Sequence, residues 1–264
     1  SNALLSKRGN NKVYLTMNAE QLDEVVMSIS KWEQQRKDVP QKITSIDAKT
    51  IAFTSPQTSA DLLQNSGKIF VQKSQLGGGS PMIRGFATNR LLITVDGIRM
   101  NNAIFRGGNI QNIISIDPFT IKNTEVIFGP GSVIYGSDAI GGVMNFYTKT
   151  PNLVVGEGQR ITGNMDYRYS SANNENTWHA DINYGKKKWG LLTSISFSDF
   201  GDLKMGRNGP ESYLRNTFVI PSVNGDQLVD NPNPRKQVSS GYDQINVMQK
   251  IAYKPTNFWD LDMG

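Results

Sequence analysis

Beyond Pro151 the chain alternates apolar and polar residues two by two, and a period of two belongs to an extended strand with two unlike faces. Ile161, Gly163, Met165, Tyr167 and Tyr169 stand against Thr162, Asn164, Asp166 and Arg168. Trp178, Ala180, Ile182 and Tyr184 stand against His179, Asp181 and Asn183. Trp189, Leu191, Thr193, Ile195 and Phe197 oppose Ser194, Ser196 and Ser198, while Ile245, Val247, Ile251 and Tyr253 alternate with Gln244, Asn246 and Lys250. Trp259, Leu261 and Met263 begin a fifth run. Each run is about nine to eleven residues long with aromatics near its ends, the pattern of a strand that faces lipid on one side and a wet lumen on the other. A soluble sandwich would alternate too, but its outer face usually carries more Lys and Glu than these Ser, Asn and Asp rows. The insertion at 201–241, rich in Gly, Asn and Pro, is too long for a periplasmic turn and suits an extracellular loop.

The composition agrees. Gly 25 and Pro 11 favour strands and turns over a helical bundle, and charged residues make up only 19%. The net charge is +5, but the Lys and Arg are scattered. The single run, Lys186-Lys187-Lys188, falls where a hairpin turn is expected and reads as a solvated turn, so nucleic acid is not a partner. There is no cysteine, which excludes disulfides and thiolate metal sites. No apolar run reaches the ~18 residues of a spanning helix. Ser1-Asn2-Ala3 resembles the scar left by removal of a tag, and the last residues stop in mid-strand by pattern; the chain reads as a fragment of a longer protein.

The first part obeys a different grammar. Short strand-like runs at 42–46, 69–71, 82–84, 91–95, 125–128 and 142–148 are separated by glycine punctuation. Residues 58–65 begin with capping residues and end before Gly67, which predicts a helix. Gly77-Gly78-Gly79 forces a loop, Asp96-Gly97 a tight turn, Pro118 a short helical turn, and 132–135 another. This is a mixed α+β module of roughly 130 residues. Before it, Asp23, Glu24, Val25, Val26, Met27 and Ser28 form an acidic start and a β-favouring run, followed by a polar linker. Such a run is either a short edge strand or an exposed peptide that adds itself to the edge of a partner's sheet.

Catalysis finds no constellation. The lone histidine, His179, lies on a polar strand face and reads as a hydrogen-bonding surface group, not a base or ligand. Gly-x-Ser-x-Gly is absent. Gly129-Pro130-Gly131-Ser132 lacks the Lys of a phosphate loop. The chain is not expected to be an enzyme, and it carries no metal or cofactor site.

Ile83-Arg84-Gly85, Asp96-Gly97, Gly129-Pro130 and Tyr135-Gly136, in that order, resemble the plug domain of TonB-dependent outer-membrane receptors. The resemblance implies an α+β plug domain followed by antiparallel transmembrane β-barrel strands, part of a barrel of about 22 strands. It divides the chain into a tag remnant and extension (1–20), a TonB box and linker (21–38), the plug (39–151) and the first barrel strands (152–264). It implies that Asp23 to Ser28 are the TonB box, which pairs with the periplasmic domain of TonB. It implies ligand-facing apical loops carrying Ser74, Gln75, Asn101, Asn102, Phe105 and Arg106, which supply amides, a stacking face and a fixed cation. Arg84 would anchor plug to barrel through a glutamate, while the second arginine of that lock is replaced by Phe128.

What the resemblance implies for function is active uptake of a scarce nutrient across the outer membrane, with outer-membrane lipid around the barrel. Residues 233–237, 242–246 and 249–255 are similar to early barrel strands of haem and haemoglobin receptors. An iron source is therefore the expected cargo: haem or haemoglobin, with a siderophore or glycan as alternatives. A non-transporting surface adhesin on the same kind of barrel is the rival from another class. The loop after Asp96-Gly97 lacks the axial histidine that haem receptors usually carry there.

Overall fold

The structure is a computed structural model and describes residues 25–26, 34–35, 41–73, 78–87, 90–100, 113–223, 225–256 and 259–264. Two bodies follow one another along the chain. The first is built on a five-stranded sheet in the order β3-β9-β10-β7-β8, comprising β3 (Lys42–Asp47), β7 (Leu91–Val95), β8 (Ile98–Arg99), β9 (Ile121–Phe128) and β10 (Gly142–Thr148). β10 runs parallel to β7 and antiparallel to β9, so the sheet is mixed. A smaller sheet joins β4 (Phe70–Gln72), β5 (Ser80–Ile83) and β6 (Phe86–Ala87). A two-residue ladder pairs β1 (Val25–Val26) with β2 (Gln34–Gln35).

Helices cover one face of the larger sheet. α1 (Ala48–Thr54) starts where the Asp47 carboxylate accepts the Thr50 amide at 2.8 Å. Hydrogen bonds from the Thr50 hydroxyl first and its amide second hold the Asp47 carboxyl below its ordinary value. α2 (Ser59–Asn65) starts with a reciprocal capping box between Thr58 and Asp61. The helix expected at 58–65 is thus present, whereas α1 was not anticipated: Thr50, Ile51, Phe53 and Thr54 favour strand, and the cap together with Ile51, buried in the core, overrides that preference. Alternation along the sheet feeds two apolar layers. Leu91, Ile93, Val126, Met144 and Phe146 face the helices together with Leu62 and Leu63. Leu92, Ile127 and Val143 face the other way and pack with Ile43 and Ala139.

The second body is one antiparallel sheet in the order β11-β12-β13-β16-β17. β11 (Gln159–Ser170), β12 (Glu175–Lys186) and β13 (Trp189–Phe200) are 12 residues each, and β16 (Tyr242–Thr256) has 15, longer than the alternation suggested because pairing continues past the apolar positions. β17 (Trp259–Met263) closes the described set. β12 and β13 are joined by Lys187 and Lys188 alone. Residues 201–241 make the long connection from β13 to β16 and carry their own hairpin, β14 (Thr217–Ile220) with β15 (Gln227–Asp230). Two side chains hold that loop. Asp202 accepts the Ser240 and Gly241 amides at 2.8 and 2.9 Å. Asn231 donates to the Arg215 and Lys236 carbonyls at 2.8 and 2.9 Å.

No described helix is long and apolar enough to cross a membrane, which leaves crossing to strands. The faces of the second sheet are inverted relative to a soluble protein. On β12, Glu175, Thr177, His179, Asp181 and Asn183 are buried, while Trp178, Ala180 and Ile182 are exposed. On β13, Ser194, Ser196 and Ser198 are buried and Ile195 and Phe197 exposed. What buries the polar face is the first body.

Candidate functional site

The seam between the two bodies is where the polar face of the strands finds its partners. At its centre His179 is 2% exposed and stacks on Phe119, with ring centroids 4.7 Å apart and planes at 10°. Its Nδ1 lies 2.7 Å from Ser196 Oγ and its Nε2 3.2 Å from Asp181 Oδ2. Ser196 Oγ donates to Asp117 Oδ2 at 2.5 Å, and the other Asp117 oxygen accepts the Phe119 amide at 3.0 Å. Asp117 therefore caps the short 3-10 turn Pro118–Thr120 and binds the strand sheet at once. The expectation that His179 is a surface group is corrected: the lumen it faces is filled. Lys149, just after β10, pairs with Asp181 at 2.7 Å.

A second cluster sits at the long-loop end. Glu175 is fully buried, and Arg168 on β11 reaches it at 2.5 Å. The same guanidinium donates to the carbonyls of Pro56 and Gln57, at 2.6 and 3.3 Å, in the link between α1 and α2. It also lies over the Phe119 ring, 5.4 Å from its centroid. Gln57 Nε2 donates to Glu175 Oε2 at 2.5 Å. Both partners of the ion pair are thus hydrogen-bonded to the first body, Arg168 through the Pro56 and Gln57 carbonyls and Glu175 through Gln57, and such further bonds are what a buried pair requires.

A third contact lies at the tight turn. Asp96 and Gly97 take φ of 49 and 83, the left-handed pair of a two-residue hairpin turn. The Asp96 carboxylate accepts the Thr148 amide at 2.8 Å and its hydroxyl at 2.6 Å, and meets Lys250 of β16 at 2.7 Å. Burial pushes the Asp96 carboxyl up, but the Lys250 and Thr148 bonds outweigh it and hold it below its ordinary value. Beside this pair a cavity of about 1040 Å³ opens between the first sheet and β16, lined among others by Arg99, Tyr135, Asn145 and Tyr147. Burial pushes the Tyr135 and Tyr147 phenols up, so both present neutral hydroxyls to it.

The link from one body to the other lies flat on the strands. A Cβ on Gly185 would sit 2.1 Å from the Asn152 carbonyl oxygen, and one on Gly190 would sit 3.0 Å from Pro151 Cβ. Asn183 Oδ1 accepts the Asn152 amide at 3.2 Å. Glycine is required at 185 because backbone passes against backbone, while at 190 an added Cβ would press on the Pro151 ring.

Residues 35–143 match the family model described as TonB-dependent Receptor Plug Domain. That region is a TonB-dependent receptor plug domain, and the chain around it is similar to TonB-dependent outer-membrane receptors. It is 40% identical over 130 residues to a vitamin B12 transporter of Vibrio vulnificus, a match covering 48% of this chain and 20% of the relative. It is 29% identical over 151 residues to a hemin receptor of Yersinia enterocolitica, covering 57% of this chain and 21% of that one. Among solved structures, the pyoverdine outer-membrane receptor of Pseudomonas aeruginosa aligns with a TM-score of 0.63 at 13% identity, covering 90% of this chain and 29% of the other. The chain spans about a fifth of the length of the curated relatives it matches. The first body is the plug, the second part of the barrel wall, and the receptor lies in the outer membrane with its plug towards the periplasm.

The receptor's expected site residues divide sharply. Asp23, Glu24, Met27 and Ser28 of the box, and Ser74, Gln75, Asn101, Asn102, Phe105 and Arg106 of the apical loops, lie outside the described residues. Val25 and Val26 form β1, and Val26 is 1% exposed, packed into the layer of Ile43, Leu92, Ile127 and Val143. Of the two readings of this run, a short edge strand or an exposed peptide, the structure has Val25 and Val26 as a short strand, with Val26 buried in the plug core. Arg84, at φ 48 in the turn between β5 and β6, is exposed and makes no ion pair among the described residues. Among the described residues it is Arg168 of the wall that reaches plug carbonyls. Phe128 takes a cation–π contact from Lys42 at 5.6 Å. Sequence reasoning missed Asp117, Lys149, Arg168 and Lys250; their signal was a charge on the polar face of a strand or beside a proline cap, which does not name its partner.

Proposed function

We propose that the full-length receptor takes up a scarce nutrient across the outer membrane, using TonB as its energy-coupling partner. The observation that carries this reading is a plug seated on the polar face of a lipid-patterned wall, with Val26, in the run proposed as the TonB box, buried in the plug core. In this account ligand binding on the outer side loosens the β1–β2 ladder, and the freed run offers backbone hydrogen bonds to a sheet edge of TonB. Removing residues 23–28 from the full-length receptor abolishes uptake and spares ligand binding. Unchanged uptake would overturn the reading, and capture of the 22–30 peptide by the periplasmic domain of TonB separates it from an adhesin.

For the cargo, a metal chelate of the siderophore class is better supported than haem. The relatives this chain resembles are named for different cargoes, vitamin B12 and hemin, so likeness to them does not favour haem. The chain's one histidine is stacked at the seam instead of standing in the loop after Asp96-Gly97. Titrating the full-length receptor with haem, cobalamin and ferric siderophores decides the point. A shifted haem absorption band would restore the haem reading.

A further inference from the structure

We propose that the short-turn end of the wall holds the anionic headgroup of a phospholipid in the periplasm-facing leaflet, through Lys186, Lys187 and Lys188. The proposal rests on the barrel fold and goes beyond the transport reading. Lys186 shares its face of β12 with Trp178, Ala180, Ile182 and Tyr184, so its stem starts on the lipid side. Its Nζ sits 6.0 Å from the Tyr184 ring centroid and 5.5 Å from that of Trp189, and those rings pack at 5.1 Å. An ammonium held against two girdle aromatics on the outside of a barrel points at headgroup depth, not into the lumen. Lys187 and Lys188 add two exposed cations in the turn.

Other lysines of the wall and seam have their counter-charges: Lys149 with Asp181, Lys250 with Asp96, Lys254 with Asp260. Among the described residues Lys186, Lys187 and Lys188 form no ion pair, so the end carries three uncompensated charges. The platform is fixed by backbone bonds. The Val154 amide donates to the Lys186 carbonyl at 3.1 Å and the Lys254 amide to the Lys188 carbonyl at 2.6 Å. The opposite end of the same outer face is acidic, with Asp199 paired in register with Asp243 and both exposed. A turn that needed only solubility would not sort charge by leaflet. A phosphate group matches three ammoniums beside an indole edge, and each lysine near an anionic surface is worth about a fivefold gain in binding.

The test uses the full-length receptor in lipid discs of phosphatidylcholine mixed with phosphatidylglycerol, with bound lipid counted by native mass spectrometry. The parent is expected to retain phosphatidylglycerol over phosphatidylcholine. The triple variant Lys186→Gln, Lys187→Gln, Lys188→Gln should lose that preference by roughly tenfold or more. Lys204→Gln, in the long loop, should keep it. Gel mobility with and without heating checks that each variant is a folded barrel. No preference in the parent, or an unchanged preference in a folded triple variant, overturns the proposal. Displacement of the lipid by millimolar inorganic phosphate would overturn the headgroup assignment in favour of a plain anion site. Uptake is not measured, so failure here leaves the transport reading intact.

Discussion

In the plug, the side chains removed from water are Ile43, Leu92, Val143 and Phe146; in the wall they are Glu175, Thr177, His179 and Ser196. The plug is ordered by the hydrophobic effect as any soluble domain is. The wall turns Trp178, Ile182 and Ile195 outward, which is stable only when lipid replaces water there. The same alternation therefore specifies opposite burial in the two bodies, and the plug supplies what the wall's inner face cannot find in lipid. The polar seam follows from that exchange.

The comparison can be broken first inside the plug. Phe146→Ala removes a fully buried ring and should cost about 3–5 kcal/mol, read as a drop in the urea midpoint of plug unfolding in the full-length receptor. Next comes the seam. Arg168→Met strands the buried Glu175 carboxylate and should cost about 3 kcal/mol; a Gln replacing Glu175 in the same chain should restore part of it, and no recovery would mean that the pair is not what holds the α1–α2 link. Ile182→Arg on the outer face should cost about 2–4 kcal/mol in a bilayer if the position lies near the midplane. The same change at exposed Phe53 of the plug should cost little, and equal costs would erase the distinction between the bodies.

The smallest effect is on acidity. Asp96 has its carboxyl depressed in the folded receptor, so its contribution is complete above the unfolded value near pH 4 and is lost as pH falls through the lowered one. Lys250→Met should therefore weaken the plug above about pH 4 and flatten the acid limb of its stability curve, followed by thermal melts across pH 2–6.

How far residues announce all this depends on whether their partners are local. The wall strands were legible because alternation is a property of neighbours in sequence, and the Lys187–Lys188 hairpin fell where it was expected. Thr58 and Asp61 likewise declare the start of α2 within four residues. β9 begins at Ile121 instead of 125 because Asn123 and Thr124 look like loop; what makes them strand is pairing with β3, including a Ser45–Asn123 hydrogen bond across 78 positions. His179 was misjudged for the same reason. Its face was evident, but Phe119 and Asp117, which fill the space before it, come from another body. Val26 shows the limit most clearly, since the residues around it fit an edge strand or an exposed peptide equally until the layer of Ile43 and Leu92 is folded beneath it.

The central claim is that the wall is inside out relative to the plug. Spin labels at Ala180→Cys and Asn183→Cys of the full-length receptor in bilayers test it directly, because the two positions occupy opposite faces of β12. The label at 180 should be relaxed strongly by oxygen dissolved in lipid and hardly by a water-soluble nickel chelate, while the label at 183, against the plug link, should be shielded from both. A label at 180 open to the chelate, with one at 183 relaxed by lipid oxygen, would contradict the account.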